Sequence, residues 1–307
     1  MPKLARSLTK SNKTVAPLLF LFIDGVGVGL PDPARNPLFV AGSKSLGYYQ
    51  NIKPEVPRGG KIILTDATLG IDGIPQSATG QTSLFTGVNA AAVLGRHLSG
   101  FPTPRLKLVL KDSIFSKAKN AGLAVSFANA YRPEFFNQPT DRVSATTSAF
   151  QQAGIPLRSF EDLRRGNALS HEFTRSFINS KGYPFDLIGP EEAAAHLLKI
   201  FGECDLLLYE FFMTDMVAHT QSMPEALKLL QTLETFLVAV INGIDIESES
   251  LLITSDHGNF EDLSTRSHTL NPVATQVWGP ARDFFCVDTL DLTGIGPRVL
   301  QSLGVQG

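Results

Sequence analysis

Leu18-Leu19-Phe20-Leu21-Phe22-Ile23 is an unbroken apolar run, and Asp24-Gly25-Val26-Gly27-Val28-Gly29 follows it directly. A short apolar run closed by glycines reads as a strand buried on both faces, with the glycines turning the chain out of the sheet. A strand covered on both sides belongs to a parallel or mostly parallel sheet with helices on either face. Residues 61–64, 123–129, 205–210 and 250–254 repeat the pattern. Between the runs, residues 114–121, 190–201 and 224–241 carry apolar side chains at spacings of three and four, the helical period. The expected fold class is therefore α/β, a mostly parallel central sheet with helices on both faces. In such sheets ligands sit at the carboxyl ends of the strands. Asp24, the pair Asp215 and His219, and Asp256-His257 all fall just beyond a strand end.

The chain has 307 residues, enough for about two domains at ~150 residues each. From 131 to 186 the alternation lapses into polar, proline-containing sequence. The expectation is a core of residues 1–130 and 187–307 with 131–186 as a small inserted cap. Hydrophobic residues make up 43% and charged residues 18%, and the net charge of -2 supplies no global positive field for nucleic acid or an anionic membrane. Cys204 and Cys286 lie outside any CxxC pair, which fits a reducing compartment; both read as ordinary buried residues. Lys3, Arg6, Lys10 and Lys13 ahead of the run from Ala16 to Ile23 imitate a signal peptide, but no small-x-small cleavage site follows. No run reaches the ~18 to 20 apolar residues of a membrane span. The expectation is a cytoplasmic protein with neither a nucleic-acid nor a membrane partner.

The chemistry-bearing residues gain force from occurring together. Asp215 and His219 are four apart, so a helix would put both on one face within reach of one ion. Asp256 and His257 are neighbours whose side chains diverge in a strand, yet the strand ends there and Gly258 lets the backbone turn. His268 lies ahead of a proline turn at Pro272. With Asp24 the pool is three aspartates and three histidines, a nitrogen and oxygen donor set suited to two divalent ions, and without cysteine ligands. The stretch from Ser77 to Gly87 is dense in hydroxyls; a hydroxyl at a helix start faces unpaired N–H groups, either as an N-cap or as a seat for an alkoxide or phosphate. A dinucleotide site after the first strand is excluded, because GxGxxG starting at Gly25 or Gly27 would need glycine where Leu30 or Asp32 stands.

Five motifs in this order resemble the alkaline phosphatase superfamily: Phe22-Ile23-Asp24-Gly25; Ser77-Ala78-Thr79-Gly80 with Thr86-Gly87; Asp215 through Thr220; Thr254 through Asn259; and His268 through Pro272. Within it the sequence is most similar to the branch of cofactor-independent phosphoglycerate mutases and phosphopentomutases. The resemblance implies that Asp215, His219 and His268 hold one metal, that Asp24, Ser77, Asp256 and His257 hold the other, and that Ser77 is the nucleophile, with Thr79 the competing choice. It further implies two Mn²⁺ or Zn²⁺ ions, a small phosphorylated substrate and a phosphoserine intermediate, with backbone N–H groups near Thr79 and Gly80 sharing the phosphoryl charge. Gln81 departs from the mutase branch, which carries histidine there, and a cap of 131–186 is short for a mutase, which must retain its intermediate. The favoured activity is that of a phosphatase, with a phosphomutase next. A nucleotide phosphodiesterase or pyrophosphatase and a catalytically silent metal-binding protein are the other readings. Arg132, Arg164 and Arg165 are either substrate ligands or a solvated face. Substrate identity, the choice of metal and oligomeric state stay open.

Overall fold

The computed structural model describes residues 15–52, 55–137 and 142–306. Lys3, Arg6, Lys10 and Lys13, and residues 138–141 of the expected cap, lie outside them. Among the described residues nine strands follow in chain order: β1 Leu18–Ile23, β2 Lys61–Asp66, β3 Val125–Phe127, β4 Ala130–Tyr131, β5 Arg158–Ser159, β6 Leu206–Phe211, β7 Ser250–Thr254, β8 Val273–Trp278 and β9 Leu290–Asp291. Seven of them form one sheet in the order β3-β6-β1-β7-β8-β2-β9, while β4 and β5 pair separately. The apolar run that opened the sequence is thus near the sheet's middle, parallel to β6 on one side and β7 on the other.

Every side chain of β1 is at most 1% exposed, and alternate residues enter two cores. Leu18, Phe20 and Phe22 pack with Leu84 and Phe85 of helix Ser77–Thr86 and with Phe115 of helix Ile114–Asn120. Leu19, Leu21 and Ile23 pack with helices Pro190–Phe201 and Met223–Gly243. The Phe85 ring meets Phe20 and Phe22 edge-on at 6.0 and 5.8 Å, the geometry that aromatic quadrupoles favour. Met223–Gly243 is by length and composition apolar enough to cross a membrane, although Glu225, Lys228 and Glu234 interrupt its apolar residues. Its Leu230, Leu233, Phe236, Leu237 and Val240 are instead buried in this second core.

Helix Ser77–Thr86 is polar in sequence and buried in fact, with nine of its ten residues in the interior. Burial of hydroxyls is costly unless they are bonded. Thr82, Ser83 and Thr86 donate to the carbonyls of Ala78, Thr79 and Thr82 at 2.6 to 2.8 Å, so the helix carries its own partners. Gly87, at φ 75°, ends it.

Strand β8 lies where the sequence shows only the residues after a proline turn. The chain leaves β7 at the carboxyl rim, crosses the rim through residues 255–272, and must run back the other way. So β8 is antiparallel both to β7 and to β2, and the sheet is mixed on this side while β3, β6, β1 and β7 stay parallel.

Residues 131–186 contain short helices and β5, whose partner β4 begins one residue before this segment at Ala130. Tyr131, Ala145, Ala149, Phe150 and Ile155 belong to the same core as β1. Phe150 stacks on Phe115 at 4.1 Å and on Phe127 at 4.8 Å. Phe160, Leu163, Ala168 and Ile178 form a separate small cluster with Ala130. Cys204 is buried, as expected, but Cys286 is exposed. It follows Phe285, which takes the inward position at 0% exposure.

Candidate metal centre

The parallel strands deliver their following residues to one rim. Asp24 N donates to Phe211 O at 2.9 Å, which anchors the first residue past β1 against the end of β6. Gly25 then turns with φ 71°; a Cβ there would lie 2.8 Å from Asp215 Oδ1, so only glycine lets the two loops approach. Asp215 lies in the short helix Met213–Ala218 and His219 caps its end, with His219 Nε2 3.3 Å from Asp215 Oδ2. Past β7, the turn at Asp256-His257 brings both side chains inward: His257 Nε2 is 3.6 Å from Asp256 Oδ2 and 3.4 Å from Asp24 Oδ1. His268 comes from the loop before β8, its Nε2 3.5 Å from Asp215 Oδ1. Ser77, the first residue of its helix, places Oγ 3.1 Å from His257 Nε2.

The seven residues nominated from the sequence therefore meet in one place. Ligand atoms of Asp215, His219 and His268 lie within 4.8 Å of one another, and so do those of Asp24, Asp215 and His257. Asp215 faces both groups.

The protonation pattern fits a pair of cations. His219 Nδ1 bonds Arg266 O at 2.9 Å and His268 Nδ1 bonds Pro75 O at 2.8 Å. A carbonyl only accepts, so Nδ1 of each ring carries a proton and Nε2 is the nitrogen turned toward the Asp215 carboxylate, the atom that can ligate a metal. Asp24 Oδ1 is buried with no hydrogen-bond donor among the described residues. Burial, reinforced by Asp256, Asp215 and Glu210, holds the Asp24 carboxyl well above the usual range. Burial raises Asp256 as well. It lowers His257 to about 3, with His268 acting in the same direction, so that imidazole is neutral. Without a cation, the pocket disfavours the charged forms its ligands need; a divalent ion reverses that balance.

Several neighbours beyond the seven nominated residues complete the site. Asn259 donates from Nδ2 to Asp215 Oδ1 at 2.7 Å and lies 3.3 Å from His219 Nε2. Gln81 Nε2 donates to Asp256 Oδ2 at 3.2 Å. Glu210, the penultimate residue of β6, accepts from Thr146 Oγ1 at 2.9 Å, and burial pushes its carboxyl up to about 7. Gln81 was marked in the sequence by its departure from the mutase branch, and Asn259 lies in the same six-residue stretch as Asp256-His257; Glu210 carried no such mark.

Other nominations land elsewhere. Thr79, the competing nucleophile, donates its hydroxyl to Gln76 O at 3.1 Å and accepts from Leu98 N at 3.2 Å. The backbone N–H groups of Ala78 and Thr79 are both taken by Leu98 O, and that of Gly80 by Gln76 O. They are thus spent on the loop and the helix, and the expectation that those near Thr79 and Gly80 share phosphoryl charge is corrected. Arg164 and Arg165 face solvent beside Glu161, at 3.5 and 2.9 Å. Arg132 is exposed near Glu134.

Comparison with known proteins identifies the family and the fold. A family profile described as the metalloenzyme superfamily matches residues 16–307. A 2,3-bisphosphoglycerate-independent phosphoglycerate mutase from Rhodopseudomonas palustris is 39% identical over 85 residues, 25% of this chain and 17% of that protein. The enzyme of the same name from Herpetosiphon aurantiacus is 25% identical over 204 residues, 59% of this chain and 38% of that protein. The matched region thus spans well under half of these relatives. Alkaline phosphatase from the Antarctic bacterium TAB5 superposes with a TM-score of 0.53 at 12% identity, covering 96% of this chain and 100% of that one, which is a likeness of fold.

Proposed function

The chain belongs to the metalloenzyme superfamily, and from that premise we propose that it is a two-metal phosphoryl-transfer enzyme working on a small phosphomonoester through a phosphoserine at Ser77, as a phosphatase. The observation that carries the reading is Ser77 Oγ at 3.1 Å from His257 Nε2, inside a cluster of acids and imidazoles that lacks only positive charge. Asp215, His219 and His268 would hold one ion, and Asp24, Asp256, His257 and Ser77 the other, with Mn²⁺ and Zn²⁺ both matching the donor set. Bound there, the ions would lower the pKa of the serine hydroxyl and offset charge on the phosphoryl oxygens.

Ser77 is the hydroxyl in this helix start that is not tied to a carbonyl, whereas Thr79 is tied to two groups. Attack by its oxygen forms the P–O bond of a phosphoserine as the bond to the leaving alcohol breaks; water then releases phosphate and restores the serine. Asn259 and Gln81 orient Asp215 and Asp256 by donating N–H to Asp215 Oδ1 and Asp256 Oδ2. A cytoplasmic setting agrees with the two free cysteines.

A phosphomutase is the second reading, favoured by the curated relatives' names. Hydrolysis is preferred because glutamine stands at 81 and because residues 131–186 are few for a cap that must hold an intermediate. Metal analysis of the purified protein, followed by a phosphate-release screen over sugar phosphates, phosphoglycerates and nucleotides with Mn²⁺ or Zn²⁺, tests both. Free phosphate supports the phosphatase; isomer without free phosphate establishes the mutase; absence of bound metal removes the proposal.

A further inference from the structure

Glu261 is 1% exposed and takes no part in the roles described above. Its Oε2 accepts from the backbone N–H groups of Gly27 and Asn259, each at 2.8 Å. Its Oε1 accepts from the Thr269 hydroxyl and from Asn271 Nδ2, the latter at 2.9 Å. Four donors saturate the carboxylate, which sets it apart from Asp24, whose oxygen is left without one. The donors come from three stretches of chain, one after Asp24 and two within the β7–β8 connection that also carries Glu261: the turn containing Asp256 and His257, and the segment after His268. Those stretches carry four of the seven proposed ligands. Through Asn259, whose side chain bonds Asp215, the same carboxylate reaches a fifth at one remove.

The backbone is shaped to admit this side chain. A Cβ on Gly27 or Gly258 would lie 2.4 Å from Glu261 Oε1, and one on Gly29 would lie 2.8 Å from its Cγ. Contacts that close require glycine at all three positions. A buried carboxylate is expensive unless it is fully bonded, and here every bond it makes joins a ligand-bearing loop.

We propose that Glu261 is a positioning residue of the metal centre, a buried anchor that fixes the three stretches relative to one another and thereby sets the affinity for the ions. The inference rests on the two-metal reading above. A residue that merely holds the fold together would, when changed, lower stability and leave metal affinity of the folded molecules intact. A positioning residue changes the affinity itself.

Glu261→Gln separates the two. The amide keeps one oxygen for the two backbone N–H groups but confronts Asn271 Nδ2 with a second donor, and Asn271 cannot simply flip because its Oδ1 accepts from Gln50 Nε2 at 2.9 Å. Metal titration of chelator-stripped protein by calorimetry with Mn²⁺ and Zn²⁺, alongside melting of the stripped protein, gives the readouts. The expected result is a folded variant whose metal dissociation constants rise by ~10- to 100-fold, whose turnover recovers at raised metal concentration, and whose KM stays near that of the wild type. Unchanged metal affinity in a folded variant overturns the proposal. Thr269→Val, which removes one donor and no proposed ligand, should weaken binding in the same direction by a smaller factor, and it serves if the first variant does not fold. Wild-type protein that binds no divalent ion in the same calorimeter defeats the two-metal reading instead, so the two failures are told apart.

Discussion

The imidazoles of His257 and His268 stack face to face, ring centroids 3.7 Å apart and planes 10° from parallel, although the two residues serve opposite halves of the proposed ligand set. A proton on either ring would place charge against its neighbour, and His268 contributes to the lowered pKa of His257. Removing His268 therefore takes away a ligand of one ion and the packing surface of a ligand of the other. For His268→Ala, calorimetric titration should show one tight site lost and the remaining one weakened. A remaining site of wild-type affinity would show that the stacked pair is not coupled.

Ser77 and Thr79 are two residues apart in one helix start, but they should fail in different ways. Ser77→Ala should lower turnover of p-nitrophenyl phosphate by at least ~1,000-fold with little change in melting temperature, and no phosphorylated protein should be trapped by rapid acid quench and mass spectrometry. Thr79→Ala loses bonds to Gln76 O and Leu98 N. It should cost about 1 to 3 kcal/mol of stability and keep most of the activity. Full turnover in the serine variant would transfer the nucleophile's role elsewhere.

Glu210 gives the metal-stripped protein a pH dependence of defined sign. Burial raises its carboxyl from 4.5 to about 7, so the folded chain keeps a proton that the unfolded chain has already lost. The stabilisation is complete below the unfolded value and disappears as pH rises through the folded one, a contribution of up to about 3 kcal/mol. Glu210→Gln retains an oxygen to accept from Thr146 and cannot ionise. In chelator the two proteins should melt alike near pH ~4, with the variant progressively more stable toward pH ~8. Parallel melting curves across that range would refute the buried-carboxyl account.

Phe150 tests how residues 131–186 join the rest. Its ring is fully buried between Phe115 and Phe127, so Phe150→Ala should cost about 3 to 5 kcal/mol. Denaturant unfolding followed by fluorescence and by circular dichroism should remain one coincident transition at a lower midpoint. Two separated transitions, with only the first moved, would make this segment an independent unit.

The strands β1, β2, β3, β6 and β7 and the helices Ile114–Asn120, Pro190–Phe201 and Met223–Gly243 were readable because each carries a pattern that its own burial imposes. The ligands were readable because divalent-ion chemistry restricts them to a few residue types, several in short fixed spacings. Strand β8 was hidden by Pro272 and by a polar Thr275-Gln276 pair. Those two are buried because Thr275 meets the hydroxyls of Thr65 and Thr254 and Gln276 meets Tyr48, partners that local sequence does not disclose. Glu210 and Glu261 were invisible for a related reason: a carboxylate's task depends on what surrounds it, and their surroundings come from residues 64 positions away in one case and from three stretches of chain in the other. The placement of Cys286 turned on which of two adjacent apolar residues, Phe285 or cysteine, points inward.

In the sheet, Phe22 pairs with Glu210 on one side and Thr254 on the other; Asp24 and Asp256 each come two residues later. Adjacent strands are held ~4.8 Å apart by backbone hydrogen bonding, so these two carboxylates, proposed for one ion, start from neighbouring strands at a fixed separation. The main chain thus works as a ruler. Whatever side chains are exchanged along this edge, the pitch between their anchoring points stays the same, so the chemistry can be rewritten without resurveying the ground it stands on.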